Sequence, residues 1–346
     1  MWLGKMRFAV LLVIAALLAV VTWVAYPGTP SKARSLRFVG YIPLRRTGLL
    51  NVLDYLTVHD GDLFVASMSS GTVTRIATHG ETDARDVRVL QGHPSAHGVA
   101  VDPGTGLAFV SRSGVNTIEV FDPAQMISVR SIAVADDPDA ILYVPPFGAH
   151  PALIYVAHGD SKTATIIDPG NQQVTATIQL GGKAEFAVFD PASGLLFQNL
   201  EDMNELIAID LWKRAITGRW PITGCEGPSG LALDEAGKRL FVACSVSSKV
   251  VIFDLEKHLL SASYTIAKHP DTIAYDNVLK RVYAAGALGE LSVLQGEPNG
   301  SFHLADAIHT HLGAHTLAVD ATTHRLYLGY VGLFIGARIA VFDAEP

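Results

Sequence analysis

Short apolar runs recur along the chain at nearly constant intervals, and turn-forming residues separate them. The runs begin at Leu63, Ala108, Ile154, Leu196, Leu240, Val282 and Leu326, with successive starts 45, 46, 42, 44, 42 and 44 residues apart. Most are followed by a second β-rich run that ends in aspartate and a turn, as in EVFDPA and TIIDPG. This pattern predicts short strands joined by hairpins. The chain past residue 35 therefore consists of seven similar units.

A unit of about 40 to 45 residues with four strands is typical of a β-propeller blade. The spacing predicts an all-β, seven-bladed β-propeller over residues 35–346. The last unit ends after its third strand, whereas residues 35–44 form an orphan strand before the first complete unit. Pairing the two would close the ring and remove an exposed edge. An open β-solenoid, the alternative, would have shorter turns and no matching orphan strand.

Residues 1–34 read as a separate segment, an N-terminal transmembrane or signal helix with its linker. Residues 8–26 carry no charge, and as a helix they would span roughly 28 Å, close to the thickness of a bilayer core. The bulky Trp23 near the end of the run makes a poor cleavage pattern, which favours an uncleaved anchor over a long signal peptide. We therefore expect a membrane partner. The sequence gives no clear orientation, because Lys5 and Arg7 before the span are matched by Lys32 and Arg34 after it.

Composition and missing motifs exclude several classes of function. The 26 basic residues are outnumbered by 33 acidic ones, for a net charge of −7 without a basic run, so no nucleic-acid partner is expected. We find no GxSxG elbow, HExxH helix, GxxxxGK[ST] loop or CxxCH sequence. Their absence disfavours covalent catalysis, a nucleotide cofactor and covalent haem.

Every predicted inner strand starts with a polar residue that an apolar run follows. These residues are Asp54, His97, Asp139, Glu185, Ser229, Asp271 and His315. Because inner strands start at the mouth of the central channel, we expect one ring of seven side chains. Any water-filled channel favours a polar lining, but four converging carboxylates also require raised pKa values, a neutralising base or a bound cation.

The ring predicts a site for a divalent cation, calcium or zinc, because carboxylates and imidazoles are suitable ligands for these ions. The candidate metal ligands are Asp54, His97, Asp139, Glu185, Asp271 and His315, of which three or four would bind the ion directly. Arg112, His158 and Asn199, in loops on the same face, join Ser229 as candidate ligand-binding residues.

The two cysteines of the chain are predicted to lie at the same end of adjacent antiparallel strands. Cys225 precedes the inner strand of its blade, and Cys244 ends the second strand. A disulfide between them would fit an exported domain. Two separate buried thiols and a thiolate metal site are the alternatives.

Several blade motifs resemble those of the YVTN-repeat, YncE-like bacterial propellers. They are GGKAEFAVFD, NLEDMNELIAID, GCEGPSGLALDEAGKRLFVAC and GAHTLAVDATTHRLYL. The resemblance covers roughly residues 36–346 and implies a periplasmic or cell-surface protein, tethered to the inner membrane, or secreted if the N-terminal segment is cleaved. His315 stands where the family more often has the arginine of GARTM. The family has no single established reaction, so the resemblance implies fold and compartment rather than chemistry.

Two functions are compatible with these features. One is a binding module that presents its channel face to a small ligand, a metal or a partner protein. The other is a metal-dependent hydrolase or lactonase, in which the ring holds an ion that polarises a carbonyl or activates water. The binding module is favoured because the sequence distinguishes no general base within the ring.

Overall fold

Each repeated unit folds into a sheet of four antiparallel strands, and burial explains the sequence pattern of each strand. The second strands are buried along nearly their whole length, as in Leu107–Arg112 and Arg239–Cys244. They are continuously apolar because neighbouring blades cover both faces. The fourth strands, such as Ala215–Pro221, lie at the periphery and alternate between exposed and half-buried positions.

The computed structural model describes residues 28–78, 86–92 and 95–345. The predicted membrane or signal helix lies outside these ranges, and no helix within them has the length and hydropathy to cross a membrane. The described residues form seven four-stranded sheets and one two-stranded sheet, Leu50–Asn51 with Gly332–Leu333. The predicted seven-bladed all-β propeller is thus confirmed.

The strands follow one another from the channel outward in each of the first six blades. Their bounds are Leu53–His59, Asp62–Ser67, Val73–Ala77 and Val87–Leu90 in blade 1; Ala96–Asp102, Leu107–Arg112, Thr117–Asp122 and Ile127–Ala133 in blade 2; Pro138–Val144, Leu153–His158, Thr163–Asp168 and Gln173–Gln179 in blade 3; Ala184–Asp190, Leu195–Leu200, Glu205–Asp210 and Ala215–Pro221 in blade 4; Pro228–Asp234, Arg239–Cys244, Lys249–Asp254 and Leu259–Thr265 in blade 5; and Pro270–Asp276, Arg281–Gly286, Glu290–Gly296 and Phe302–His309 in blade 6. Short 3₁₀ helices occur at Ser113–Val115 and Glu201–Met203.

Blade 7 is built from both ends of the chain. It contains Thr316–Val319, Leu326–Tyr330 and Arg338–Ala344, and its outer strand is Leu36–Pro43. The outer strand pairs in antiparallel register from Leu36 with Ala344 to Pro43 with Arg338. The predicted closure is therefore confirmed.

The aspartates that end the third strands organise the hairpins that follow them. An Oδ1 atom of Asp122 accepts hydrogen bonds from the backbone N–H groups of Ala124 and Gln125, at 2.8 and 2.9 Å. The same arrangement recurs after Asp168 and Asp254. These Asx turns explain why the sequence marker ends in aspartate.

Cys225 and Cys244 form a disulfide, as predicted, with 19 residues of sequence separation. Both are buried in the apolar cluster between blades 4 and 5. The two alternatives for the cysteines, separate thiols and a thiolate metal site, are wrong.

Candidate functional site

The polar residues at the starts of the inner strands lie in a β-bulge that recurs around the ring. In six blades the pairing of the inner strand with the second strand shifts directly after its first residue. The polar residue is the second of the strand, inside the shifted stretch. A bulge re-aims the side chain it contains, so this irregularity presents one polar group at the channel mouth in each of these six blades. In blade 7 the pairing has no such shift, and His315 directly precedes the inner strand.

Three consecutive blades bring their polar residues into direct contact. The Nδ1 atom of His97 lies 2.5 Å from Oδ2 of Asp54 and 3.3 Å from Oδ1 of Asp139. One ligand atom from each of the three residues falls within 4.8 Å of the others. Among the described residues this is the group of histidine and acidic side chains that has the spacing of a metal site.

Lys183 compensates the neighbouring carboxylate of blade 4. Its Nζ atom lies 2.9 Å from Oε1 of Glu185 and 2.5 Å from Oε2 of Glu201. Lys183 is a neutralising base of the kind expected at the ring, although the sequence pattern does not indicate it. Lys183 is the second residue before Glu185, and Glu201 begins the short helix after the second strand, so all three lie at the channel-mouth end of the same blade.

Burial is the largest influence on the ring carboxyl groups. Burial and the charge of Asp54 raise the pKa of Asp139 to about 7, against the opposing charge of His97. Burial, followed by the charge of Asp139, raises the pKa of Glu185 to about 8. Burial likewise raises the pKa of Asp271 to about 6. Ionising these groups together is therefore unfavourable without a further positive charge.

The pKa values of the two basic partners, His97 and Lys183, are raised, which favours their charged forms. Burial lowers the pKa of His97, but the hydrogen bond and the charge of Asp54 outweigh it, so that the pKa lies above its ordinary value. Burial also lowers the pKa of Lys183, whereas hydrogen bonds to Glu201 and Glu185 raise it further than burial lowers it. Lys183 and Glu185 thus both have raised pKa values. The pKa of Glu185 is raised despite the opposing effect of Lys183, because burial and the charges of Asp139 and Glu201 disfavour the ionised form.

The other half of the ring is arranged differently. Nδ1 of His315 lies 3.4 Å from Oδ2 of Asp271, a longer contact than that between His97 and Asp54. Ser229 is buried, and its hydroxyl donates a 3.0 Å hydrogen bond to the carbonyl of Pro270 in the next blade. Glu185, Asp271 and His315 lie outside the three-residue group, and their metal ligation stays a prediction.

Arg112 lies within the fold between blades 1 and 2. Its side chain is 1% exposed, pairs with Glu119 through Nε, and donates a 2.5 Å hydrogen bond to the carbonyl of Gly71. A side chain at Gly92 would overlap its guanidinium group. The contacts of Arg112 are those of a residue that joins two blades, while its role in ligand binding remains a prediction.

His158 and Asn199 are likewise buried at the ends of second strands. His158 Nε2 shares a 2.8 Å hydrogen bond with Oγ1 of Thr165, and burial lowers the pKa of the imidazole to about 4. Asn199 Nδ2 donates to the backbone carbonyls of Ser229 and Gly230, at 2.9 and 3.2 Å. Asn199 therefore satisfies carbonyl groups that the bulge of blade 5 leaves without a strand partner. Ligand binding by both residues is not tested by these contacts.

Two aromatic rings lie directly behind the carboxylates. Tyr55 and Phe186 pack edge to face with centroids 5.3 Å apart. Burial raises the pKa of Tyr55 well above 10, and the charges of four ring carboxylates raise it further. A cavity of about 440 Å³ follows, lined by apolar residues further along the inner strands, including Val99, Ile141 and Leu317. The channel thus has an acidic mouth and an apolar interior.

Ser113 is a second residue of the mouth, besides Lys183, that the sequence pattern does not indicate. Its Oγ lies 2.7 Å from Nε2 of His97, and it begins the 3₁₀ helix Ser113–Val115. The short segment SGVN after the second strand of blade 2 carries no catalytic motif. Only the alignment of this loop with the start of the inner strand could have indicated the contact.

Comparisons with known proteins support the fold alone. No family model and no curated protein matches the chain. Among solved structures, hydrazine synthase of Kuenenia stuttgartiensis is similar, with a TM-score of 0.70 and 15% sequence identity. The match covers 84% of this chain and 95% of that one. Membership of the YVTN-repeat family stays a prediction.

Proposed function

We propose that this protein is an extracytoplasmic β-propeller that binds a divalent cation at its channel mouth. The observation that carries the proposal is the convergence of Asp54, His97 and Asp139, whose ligand atoms lie within 4.8 Å of one another. All three side chains are at most 20% exposed, so an ion there would have three protein ligands and would complete its coordination with water.

The electrostatics of the mouth favour a cation. Two carboxylates of the site and the nearby Glu185 and Asp271 are buried together, and three of these four groups have raised pKa values. A divalent ion would supply the missing positive charge and let the carboxyl groups ionise. One imidazole nitrogen among carboxylate oxygens favours zinc over calcium, which prefers oxygen ligands alone.

The proposed location outside the cytoplasm rests on two features. A disulfide persists in oxidising compartments, and the apolar residues 8–26 have the composition of a membrane or export segment. We accordingly propose that the propeller is tethered to the inner membrane as a member of the YVTN-repeat family. Its channel face would bind a small ligand or a partner protein through the ion.

Titration calorimetry on the full-length protein in detergent, after stripping with EDTA, tests the proposal. We expect one zinc ion per chain, with calcium weaker, and at least tenfold weaker binding in Asp139→Asn and His97→Gln. His269→Gln, an exposed histidine on the same face, is the matched control and should bind as the wild type does. Absence of binding by both ions would refute the cation site.

A lactone and ester screen of the zinc-loaded protein tests the alternative, a metal-dependent hydrolase.

A further inference from the structure

The contacts of His97 form a linear chain of three residues from different parts of the mouth. Oδ2 of Asp54 lies 2.5 Å from Nδ1, and Oγ of Ser113 lies 2.7 Å from Nε2 of the same ring. The carboxylate of Asp54 accepts a hydrogen bond from Nδ1–H, which leaves Nε2 without a proton and able to accept the hydroxyl proton of Ser113. A serine, a histidine and an aspartate in this order have the geometry of an acyl-transfer triad.

We propose that the metal-free protein hydrolyses small carboxylic esters, with Ser113 as nucleophile, His97 as general base and Asp54 as the group that orients the imidazole. The proposal goes beyond cation binding and does not depend on it. It also differs from the metal-dependent alternative, because no ion takes part in any step.

The overall reaction consumes one water molecule and converts the ester into an alcohol and a carboxylic acid. Oγ of Ser113 forms a bond to the acyl carbon while its proton passes to Nε2 of His97. The bond between the acyl carbon and the ester oxygen then breaks, and the alcohol leaves with the proton from Nε2. Water attacks the acyl group on Ser113 and gives its proton to Nε2, which returns it to Oγ as the carboxylic acid departs.

The fold does not need this contact to form the loop. In blade 4 the residue equivalent to Ser113 is Glu201, which begins a 3₁₀ helix of the same length. Both helices end at an asparagine in the left-handed conformation, Asn116 and Asn204. The loop thus takes the same shape without a serine and histidine pair, so the pair in blade 2 is not a requirement of the backbone.

Blade 5 contains the same serine without the base. Ser245 occupies the position equivalent to Ser113. The backbone N–H of Ser113 donates to the carbonyl of Ser95, and that of Ser245 donates to the carbonyl of Gly227. Each acceptor lies two residues before the polar residue of its inner strand. The polar residue of this inner strand is Ser229, whose hydroxyl donates to the carbonyl of Pro270 in blade 6, and the hydroxyl of Ser245 donates to the carbonyl of Gly227. The chain therefore carries a matched serine that should be unreactive.

The mouth indicates which esters would be preferred. Asp139, Glu185 and Asp271 surround it with buried carboxyl groups, which a positive charge beside them would help to ionise. The rings of Tyr55 and Phe186 lie behind them. Carboxylates and aromatic faces both attract an organic cation. The preferred substrate class is accordingly an ester with a quaternary or protonated amine, rather than a neutral or anionic ester of the same size.

The cation of the proposed function would switch this activity off. An ion bound to Nδ1 takes the place of the Nδ1 proton, so the ring proton moves to Nε2, which then donates to Ser113 and cannot act as a base. This inhibition rests on the proposed cation site, whereas the triad does not.

Labelling with a fluorophosphonate probe in EDTA, followed by peptide mass spectrometry on the full-length protein, tests the triad. We expect one adduct, on Ser113, that is lost in Ser113→Ala and forms at least 100-fold more slowly in His97→Gln, the smaller limit of what a general base contributes. Ser245→Ala should label as the wild type does. Melting temperatures show whether each variant is folded.

Substrate preference is measured by acid release from acetylcholine and from 3,3-dimethylbutyl acetate, its uncharged analogue. We expect at least tenfold faster hydrolysis of the cationic ester, and loss of both activities in Ser113→Ala. A folded wild type without an adduct on Ser113, or hydrolysis that persists in Ser113→Ala, would overturn the proposal. Labelling that zinc leaves unchanged, while calorimetry shows zinc bound, would overturn the switch and leave the triad and the cation site standing.

Discussion

Replacing Asp139 by asparagine should stabilise the cation-free propeller at alkaline pH. The substitution keeps the size of the side chain and removes the charge. Asp139 is buried beside Asp54, and among the residues that the structure describes His97 is its close basic partner, at 3.3 Å. Burial and the charge of Asp54 therefore destabilise the ionised carboxylate of Asp139, whereas they do not destabilise the neutral amide of asparagine in this way.

The size of the effect follows from the pKa of Asp139. A carboxyl group whose pKa rises from its ordinary value of 3.8 to about 7 costs the fold about 4 kcal/mol once it is fully ionised. The sign follows from linkage. When the pKa of a carboxyl group is higher in the folded than in the unfolded state, the stability is greatest below the unfolded-state pKa and is lost as pH rises through the folded-state pKa. The variant should gain about 1 kcal/mol at pH 4.5 and at most about 4 kcal/mol at pH 8.

Urea unfolding in EDTA, followed by fluorescence at both pH values, measures this gain. Asp160→Asn removes the same charge from an exposed position on the same face and is the control. Zinc should stabilise the wild type and have little effect on Asp139→Asn, so that the order of stability reverses when the ion is added. An Asp139→Asn variant that is less stable than the wild type at pH 8 in EDTA would refute the electrostatic reasoning.

Two further predictions concern the framework. The double variant Cys225→Ala and Cys244→Ala should lose about 3 kcal/mol of stability, as expected for a loop of this length, and reduction of the wild type should give the same loss; unfolding curves with and without reductant check this, and unchanged curves would contradict it. Deleting residues 35–44 should expose the edge of Arg338–Ala344 and cause aggregation. A monomeric deletion variant of wild-type stability in size-exclusion and melting measurements would show that the seam is dispensable.

The sequence was sufficient for the blades, the closure and the position of each ring residue, because all three depend on periodicity. A strand buried on both faces is continuously apolar wherever it occurs, and seven such strands reveal the repeat. Asp54, His97 and Asp139 could be placed at one mouth because each stands at the start of the inner strand of its repeat. Periodicity cannot supply the rotamers and partners of those side chains.

The remaining site residues depend on contacts between blades, which the repeat does not encode. Asn199 and Ser229 match the polar pattern of the mouth, yet both direct hydrogen bonds to carbonyl groups of a neighbouring blade. Buried polar groups need such partners, and a bulged backbone provides unpaired carbonyls close by. Lys183 and Ser113 were missed for the converse reason. They lie in loops without a periodic sequence pattern, and their roles follow only from the contacts of Lys183 with Glu185 and of Ser113 with His97.

The closure of blade 7 also constrains how the protein folds during synthesis. The ion pair between Arg37 and Glu345 joins residues 308 positions apart, and the strand Leu36–Pro43 has no partner until Arg338–Ala344 has left the ribosome. Six blades can assemble before that moment, but the ring cannot. The early strand must wait with an unpaired, apolar edge, and contacts of such long range form slowly. Chaperones that cover the waiting strand should therefore increase the yield of folded protein.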